Sequence, residues 1–190
     1  MKILFKPQTE WLPPEEFKDL SSYDEIAIDL ETKDPNLKTM GSGSVTGQAK
    51  IVGIALAVEG WSAYYPIAHE GGGNMDRKKV MDYFRTILNY PSKKIFHNAM
   101  YDVCFIRAEG LKINGTIIDT MISGSLVDEN RFRYDLGSLG RDYVGIGKNE
   151  AVLNETAKEW GVDPKSEMYK LPAMYVGEYA EQDAALTLKL

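Results

Sequence analysis

The chain has 190 residues, 44% of them apolar and 26% charged, which is the composition of an ordinary globular domain. Its net charge of −6 argues against a large surface for duplex DNA, because non-specific duplex binding depends on basic side chains that neutralise phosphates. No apolar run approaches the roughly 18 residues that span a bilayer, and the amino terminus lacks the apolar segment of a signal peptide. Since Cys104 is the only cysteine, we expect no internal disulfide, a buried inert thiol, and a soluble cytoplasmic protein without a membrane partner.

An alternating segment, EIAIDLE at residues 25–31, is the first predicted strand. Because successive side chains of a strand point to opposite faces, Asp29 and Glu31 share one face. Residues 33–50, which follow, are rich in Gly, Ser and Thr and show no period. They predict a long loop, and we interpret its GSGSVTG segment as a mobile rim near a functional site.

Strand and helix patterns then alternate, delimited by turn and cap residues. Glu59-Gly60 joins two strands into an antiparallel meander with the first, Asn98 is a good helix N-cap, and Gly110 ends that helix. This order predicts an α/β fold, in which a mixed five-stranded sheet (an antiparallel meander followed by parallel strands) is flanked by helices. The further predicted elements are strands at 51–58 and 61–68, a helix within 75–90, a strand at 93–97, a helix at 99–109, a strand at 113–118, and helices at 119–127, 135–143, 149–160 and from 176 onward.

Three short patterns contain the candidate functional residues. Asp29 and Glu31 form a D-x-E pair at the end of an apolar strand, where carboxylates are costly unless they are paired or bound to a metal ion. Asp102 lies in the first turn of its predicted helix, where the helix dipole favours the ionised carboxylate. Tyr179 and Asp183 are four residues apart on the last predicted helix and therefore point from one face.

Each pattern also has a purely structural explanation. Acidic pairs are common at solvated strand ends, Asp102 can help to cap its helix, and Tyr179 and Asp183 fit an ordinary amphipathic helix. Their conjunction in this order favours a site instead. A cluster of ionised carboxylates is a hard-oxygen ligand set suited to Mg²⁺ or Mn²⁺. Because paired divalent ions serve in-line displacement at phosphorus, the conjunction points to a nuclease.

The three patterns resemble the Exo I, Exo II and Exo III motifs of the DEDD 3′–5′ exonucleases, in the subclass with tyrosine in the third motif. Longer stretches are similar to the proofreading domain of family A (DNA polymerase I-like) polymerases, especially bacteriophage ones. These stretches are KPQTEWLPPEEF, AIDLETKDP, KIFHNAMYDV, IIDTMISGSLVDENRFRYDL and LPAMYVGEYAEQDA. The resemblance covers nearly the whole chain. It implies an RNase H-like fold, with residues 1–190 forming one exonuclease domain and residues 1–22 an N-terminal extension.

The resemblance also implies a mechanism with two divalent metal ions, Mg²⁺ or Mn²⁺. Asp29, Glu31 and Asp183 would hold one ion; Asp29 would also reach the second, which Asp102 would contact directly or through water. Tyr179, helped by Glu31, would orient the attacking water. DNA would be hydrolysed from its 3′ end, with release of nucleoside 5′-monophosphates. The acidic charge of the chain is compatible with this role, because bound ions would cancel much of the negative charge of the site.

Residues near the motifs are candidates for substrate or supporting roles. Leu30 and Met100 could wedge between terminal bases or pack in the core, and Asn98 could cap its helix and touch the substrate. We interpret Asp119 as the N-cap of the next helix and His97 as a strand-end residue rather than a base. The substrate-binding set is Leu30, Thr32, Asn98 and Met100. The basic residues that could contact the DNA backbone, or be solvated, are Arg131, Arg133, Arg141 and Lys148.

The expected substrate is a single-stranded or frayed 3′ end of DNA. The expected partner is a polymerase domain in the parent polypeptide or complex, because nothing in this chain supplies palm, fingers or thumb. An exoribonuclease of the RNase D kind shares the motifs and is the alternative enzyme. A non-catalytic docking module is the alternative without activity, and it predicts no dependence on metal.

Overall fold

The alternating segment forms the central strand of a five-stranded sheet in the computed structural model, which describes residues 9–190. The strands are β1 (Glu25–Lys33), β2 (Lys50–Val58), β3 (Trp61–Pro66), β4 (Lys93–Phe96) and β5 (Ile117–Asp119). β1 pairs antiparallel with β2 and β2 with β3, whereas β4 pairs parallel with both β1 and β5. The order β3-β2-β1-β4-β5 confirms the predicted mixed sheet, a meander followed by parallel strands.

Helices flank this sheet, as predicted. Within the described residues they are α1 (Leu37–Met40), α2 (Arg77–Asn89), α3 (Ala99–Ala108), α4 (Thr120–Val127), α5 (Leu136–Leu139), α6 (Ala151–Trp160) and α7 (Gly177–Lys189). Side-chain caps within a few residues set the N-termini of three of them. The Asp76 side chain caps α2 by accepting the N–H of Lys79, and the Asp119 side chain caps α4 by accepting those of Met121 and Ile122. The predicted N-cap role of Asp119 is therefore confirmed.

Two predicted elements are wrong in extent. The fifth strand does not span 113–118, because its pairing with β4 begins only at Ile117, and Gly115 turns before it with a φ of +82°. The helix expected at 135–143 is instead the four-residue α5 followed by a π-helical turn at Gly140–Val144.

Two further expectations need correction. The segment at 33–50 is not an irregular loop throughout, because β1 extends to its first residue and α1 forms within it. The buried Asp34 carboxylate fixes that segment by accepting the N–H of Gly43 at 3.0 Å. Cys104 is only partly buried, because it lies on α3 between the buried helix face and solvent.

The two faces of the sheet pack against different helices, and this division positions the site. Ile26, Ile28 and Leu30 of β1 join one apolar core with α2 and α3. Ala27, on the opposite face of β1, joins a second core with α6 and α7. Because side chains alternate along a strand, Asp29 and Glu31 lie on the face covered by α7.

The predicted N-terminal extension packs onto the domain where the structure describes it; residues 1–8 lie outside the described part. Leu20 is fully buried in the first core, and the Phe17 ring stacks on Tyr65 at 5.6 Å between centroids. The Trp11 indole donates a 2.8 Å hydrogen bond to Glu181 of α7. No helix among residues 9–190 has the length and apolar character needed to cross a membrane.

Candidate active site

The end of β1 carries the first two candidate carboxylates. In the pairing of β1 with β2, Asp29 lies opposite Ala55 and Glu31 lies opposite Gly53. A β-bulge follows directly, because the register shifts between Glu31 and Thr32. Bulges increase the local twist and redirect side chains. The residues after Glu31 therefore do not continue the face of the strand that carries Asp29 and Glu31.

Asp102 of α3 is tied to the same strand. Its side chain is 4% exposed, and its Oδ1 accepts the backbone N–H of Leu30, at 3.2 Å, from between the two β1 carboxylates. This hydrogen bond across 72 positions of the sequence brings the second motif onto the first. The position of Asp102 in the first turn of α3 confirms the sequence-based placement.

The start of α3 differs from the prediction in one respect. Asn98 occupies the cap position with a left-handed φ of +67°, the only positive φ of a non-glycine residue in the described range, and its side chain makes no capping hydrogen bond. Asp119 acts instead: its two carboxylate oxygens accept the N–H groups of Asn98 at 3.0 Å and Ala99 at 2.8 Å. Asp119, at the end of β5, therefore holds the backbone that leads into Asp102.

The third motif lies on α7, which covers the carboxylate face of β1. Asp183 is 3% exposed, and its Oδ1 is buried without a hydrogen-bond partner. Its Oδ2 accepts from the ammonium group of Lys148, which also donates to the Tyr179 hydroxyl at 3.2 Å. The predicted five residues therefore converge from three elements, together with a lysine that was expected to contact the DNA backbone or to be solvated.

The acidic groups of the cluster oppose one another's ionisation. Burial, followed by repulsion from Asp183, raises the pKa of Asp29 to about 7. Burial and repulsion from Asp29 also raise the pKa values of Glu31 and Asp102 well above their usual range. Burial and the Asp183 carboxylate raise the pKa of Tyr179, so its phenol stays protonated at neutral pH.

These donors suit a divalent cation. Ligands to Mg²⁺ and Mn²⁺ are oxygen atoms, and the buried, unpartnered Oδ1 of Asp183 is the type of atom that an ion would satisfy. In the side-chain arrangement of residues 9–190, however, no three His, Cys, Asp or Glu groups are placed to hold one ion together. The carboxylates are the right type of ligand for such a metal ion, but their side chains would have to move for three of them to bind one ion together.

The four predicted substrate-binding residues have different surroundings. Leu30 packs in the first core and is 6% exposed, which favours its packing role over a wedge between bases. Met100, by contrast, is 76% exposed at the start of α3, beside the exposed Asn98. The Thr32 hydroxyl is hydrogen-bonded to that of Tyr101 at 2.8 Å.

The other polar candidates also differ in their contacts. His97 follows β4 directly, as predicted, and its Nδ1 pairs with the Thr120 hydroxyl at 2.8 Å. Arg131 forms an ion pair with Asp142, and Arg133 is exposed.

Sequence reasoning missed a buried, hydrogen-bonded pair behind Glu31, formed by Tyr64 and His69. The Tyr64 hydroxyl lies across Gly53, where a Cβ would come within 2.0 Å of it. Tyr64 donates to Nε2 of His69 at 2.7 Å, because Nδ1 of His69 donates to the Leu171 carbonyl at 3.0 Å. Burial lowers the pKa of His69 to about 4, so its ring is neutral. The only sequence signal for this group was the small residue in the middle of β2.

Comparison with known proteins identifies the family. A family model described as 3′–5′ exonuclease matches residues 6–190. A DNA-directed DNA polymerase of Pseudomonas phage M6 is 34% identical over 190 residues, which cover 96% of this chain and 28% of that protein. A DNA polymerase I of Synechocystis is 27% identical over 151 residues, covering 75% of this chain and 14% of that protein.

The fold is shared with solved nucleases. Escherichia coli RNase D superposes with a TM-score of 0.55 over 89% of this chain and 38% of that chain, at 18% identity, which shows the fold alone. The predicted RNase H-like α/β fold is thereby confirmed. Since the family match extends over nearly all residues, this chain belongs to the 3′–5′ exonuclease family found in family A DNA polymerases.

Proposed function

We propose that this chain removes nucleotides from the 3′ end of single-stranded or frayed DNA, as the proofreading exonuclease of a phage-type DNA polymerase. The observation that carries the proposal is the convergence of Asp29, Glu31, Asp102, Tyr179 and Asp183 from three separate elements. The chain spans 28% of the phage M6 polymerase, so the polymerising domain of the parent polypeptide or complex is the proposed partner. The phage relatives make the host cytoplasm the proposed compartment.

Two divalent ions, Mg²⁺ or Mn²⁺, are the proposed cofactors. Asp29, Glu31 and Asp183 would hold one ion, and Asp29 and Asp102 the other. Such ions, when bound, lower the pKa of water and neutralise charge on phosphate and on the departing 3′ oxygen. Burial and mutual repulsion raise the pKa of each carboxylate, and a bound cation would relieve that repulsion, so the carboxylates are suited to this task.

Tyr179 would position the attacking water by hydrogen bonding. Its raised pKa keeps the hydroxyl protonated, so the phenol would donate a hydrogen bond to the water rather than act as a base. Glu31 would accept from the same water. Attack in line with the P–O3′ bond leaves the phosphate on the 5′ side of the departing nucleotide, and the product is a nucleoside 5′-monophosphate.

The terminal nucleotide would contact the start of α3. Met100 and Asn98 are exposed there, close in sequence to Asp102, and a left-handed residue beside a catalytic group is a recurrent feature of functional sites. Thr32 and Leu30 would contribute from β1, Leu30 mainly through the core. Preference for mismatched ends follows from the lower cost of unpairing them.

The test uses 5′-labelled single-stranded DNA and its RNA counterpart, with Mg²⁺, with Mn²⁺ and with chelator. We expect a metal-dependent ladder that shortens from the 3′ end of DNA. Asp29→Ala should lower the single-turnover rate by about 100-fold or more, because it removes a ligand proposed for both ions. Glu59→Ala, which removes an exposed carboxylate in the β2–β3 turn, should retain the wild-type rate.

Other outcomes select the alternatives. Preferential shortening of RNA would support an exoribonuclease of the RNase D kind. Folded protein that binds DNA but cleaves neither substrate with any metal, and is indifferent to Asp29→Ala, would support a non-catalytic docking module.

A further inference from the structure

Lys148 is placed unlike an ordinary surface lysine. It follows Gly147 in the connection between the π-helical turn and α6, and its side chain is 22% exposed. Its ammonium group contacts Asp183 Oδ2, donates to the Tyr179 hydroxyl at 3.2 Å and lies 5.1 Å from the centre of the Tyr179 ring. Both residues of the third motif therefore share one cation supplied by the chain itself.

The ammonium group of Lys148 and the Asp183 carboxylate are both withdrawn from solvent. Their side chains are 22% and 5% exposed, so the two charges interact with little screening by water. One ammonium thus offsets part of the repulsion among the acidic groups.

The same contact opposes metal coordination. While Asp183 Oδ2 is engaged by Lys148, its Oδ1 lacks a partner, and no three acidic groups within residues 9–190 are arranged around one ion. A divalent ion at Asp183 and an ammonium on the same carboxylate would repel each other strongly at such short range. The two cations therefore compete for Asp183.

We propose that Lys148 is the resident counter-ion of the catalytic carboxylates, which stabilises them before metal binds and must leave Asp183 when metal is bound. The proposal rests on the proposed function, because it assumes that these carboxylates bind divalent ions. Lys148 is then a positioning residue, and its charge weakens the affinity of the carboxylates for the first divalent ion. Removing its charge should therefore tighten metal binding.

The experiment is a titration of the whole chain with Mn²⁺, in which free Mn²⁺ is measured by electron paramagnetic resonance. Lys148→Met and Lys148→Gln remove the charge, and Lys148→Arg retains it. We expect both neutral variants to bind Mn²⁺ about tenfold more tightly than wild type, as the loss of one repelling charge predicts, and Lys148→Arg to stay close to wild type. Lys158→Met, on the exposed face of α6, is the matched control and should leave the affinity unchanged.

Thermal unfolding supplies a second measurement. In chelator the neutral Lys148 variants should melt below wild type, because the buried carboxylates lose their cation, and Mn²⁺ should raise their melting temperature more than that of wild type. Equal Mn²⁺ affinity in wild type and all Lys148 variants would overturn the counter-ion proposal while leaving the metal site intact. Failure of every folded variant, wild type included, to bind Mn²⁺ would instead overturn the metal site of the proposed function, and the counter-ion proposal with it.

Discussion

Asp29 lies where burial and the Asp183 carboxylate both oppose its ionisation, which raises its pKa from 3.8 to about 7. Below about pH 4 the group is protonated in both the folded and the unfolded chain and has no effect on stability. Between pH 4 and 7 the unfolded chain ionises first, and above pH 7 the folded protein carries the full cost of the partly buried charge. Asp29 therefore destabilises the protein at the pH where an ionised ligand is needed.

This balance predicts the effect of Asp29→Asn in chelator. At pH 8 the variant should be more stable than wild type by about 2 kcal/mol, because it removes a partly buried charge and keeps the shape of the side chain. The gain should shrink as the pH falls below 7 and disappear near pH 4. Urea denaturation at several pH values measures it, with Asp24→Asn, at an exposed position before β1, as control. A gain that does not change with pH would contradict the assigned pKa.

Among the elements, the pairing of β1 with β2 places a glycine behind a candidate catalytic carboxylate. Glu31 lies opposite Gly53, and the Tyr64 side chain occupies the space where a Cβ would stand. Tyr64 is held in turn by its hydrogen bond to His69. Because Glu31 lies directly opposite Gly53, a methyl group added at Gly53 should disturb the strand that carries Asp29 and Glu31.

Gly53→Ala should be strongly destabilising. The added methyl group overlaps the Tyr64 hydroxyl, and relief requires a shift of buried groups, for which overpacking costs about 1–3 kcal/mol. Gly137→Ala is the matched control, because its Cβ meets atoms no closer than 3.5 Å within a helix, where alanine is preferred. Denaturant unfolding of both variants measures the difference, and equal stability of the two would contradict the packing described.

At the scale of the whole molecule, the segment before β1 fastens α7 to the sheet. The Trp11 ring covers Gly177, where a Cβ would approach within 2.0 Å, and its indole N–H donates to Glu181. The same Glu181 oxygen accepts the backbone N–H of Tyr64 in β3 at 3.1 Å. Since α7 carries Tyr179 and Asp183, this contact helps to keep the third motif over β1.

Trp11→Ala should therefore destabilise the protein by about 2–3 kcal/mol, a value below that of a fully buried tryptophan because the ring is partly exposed. It should also slow the nuclease, through displacement of α7. Trp160→Ala, which removes a 48% exposed ring at the end of α6, should change stability by no more than about 0.5 kcal/mol. Thermal unfolding and the nuclease rate of the two variants test this, and equal effects would show that Trp11 does not fasten α7.

Patterns in the sequence predict the sheet class, the approximate bounds of most helices and the elements that carry the five motif residues. These features depend on interactions between residues that are close in the sequence. Alternation along a strand places Asp29 and Glu31 on one face, and a four-residue spacing on a helix aligns Tyr179 with Asp183. A cap residue such as Asp119 marks where a helix begins. Their functional meaning came from resemblance, because each motif alone also has a structural explanation.

Which distant groups share the site depends on the tertiary fold. The cap of α3 comes from Asp119 rather than Asn98, and the three-residue strand β5 exists through its pairing with β4. Lys148 reaches Asp183 across 35 positions of the sequence. Such contacts depend on packing between elements remote in the chain, and neither periodicity nor propensity encodes that packing locally, which is why sequence reasoning placed Lys148 among solvated basic residues.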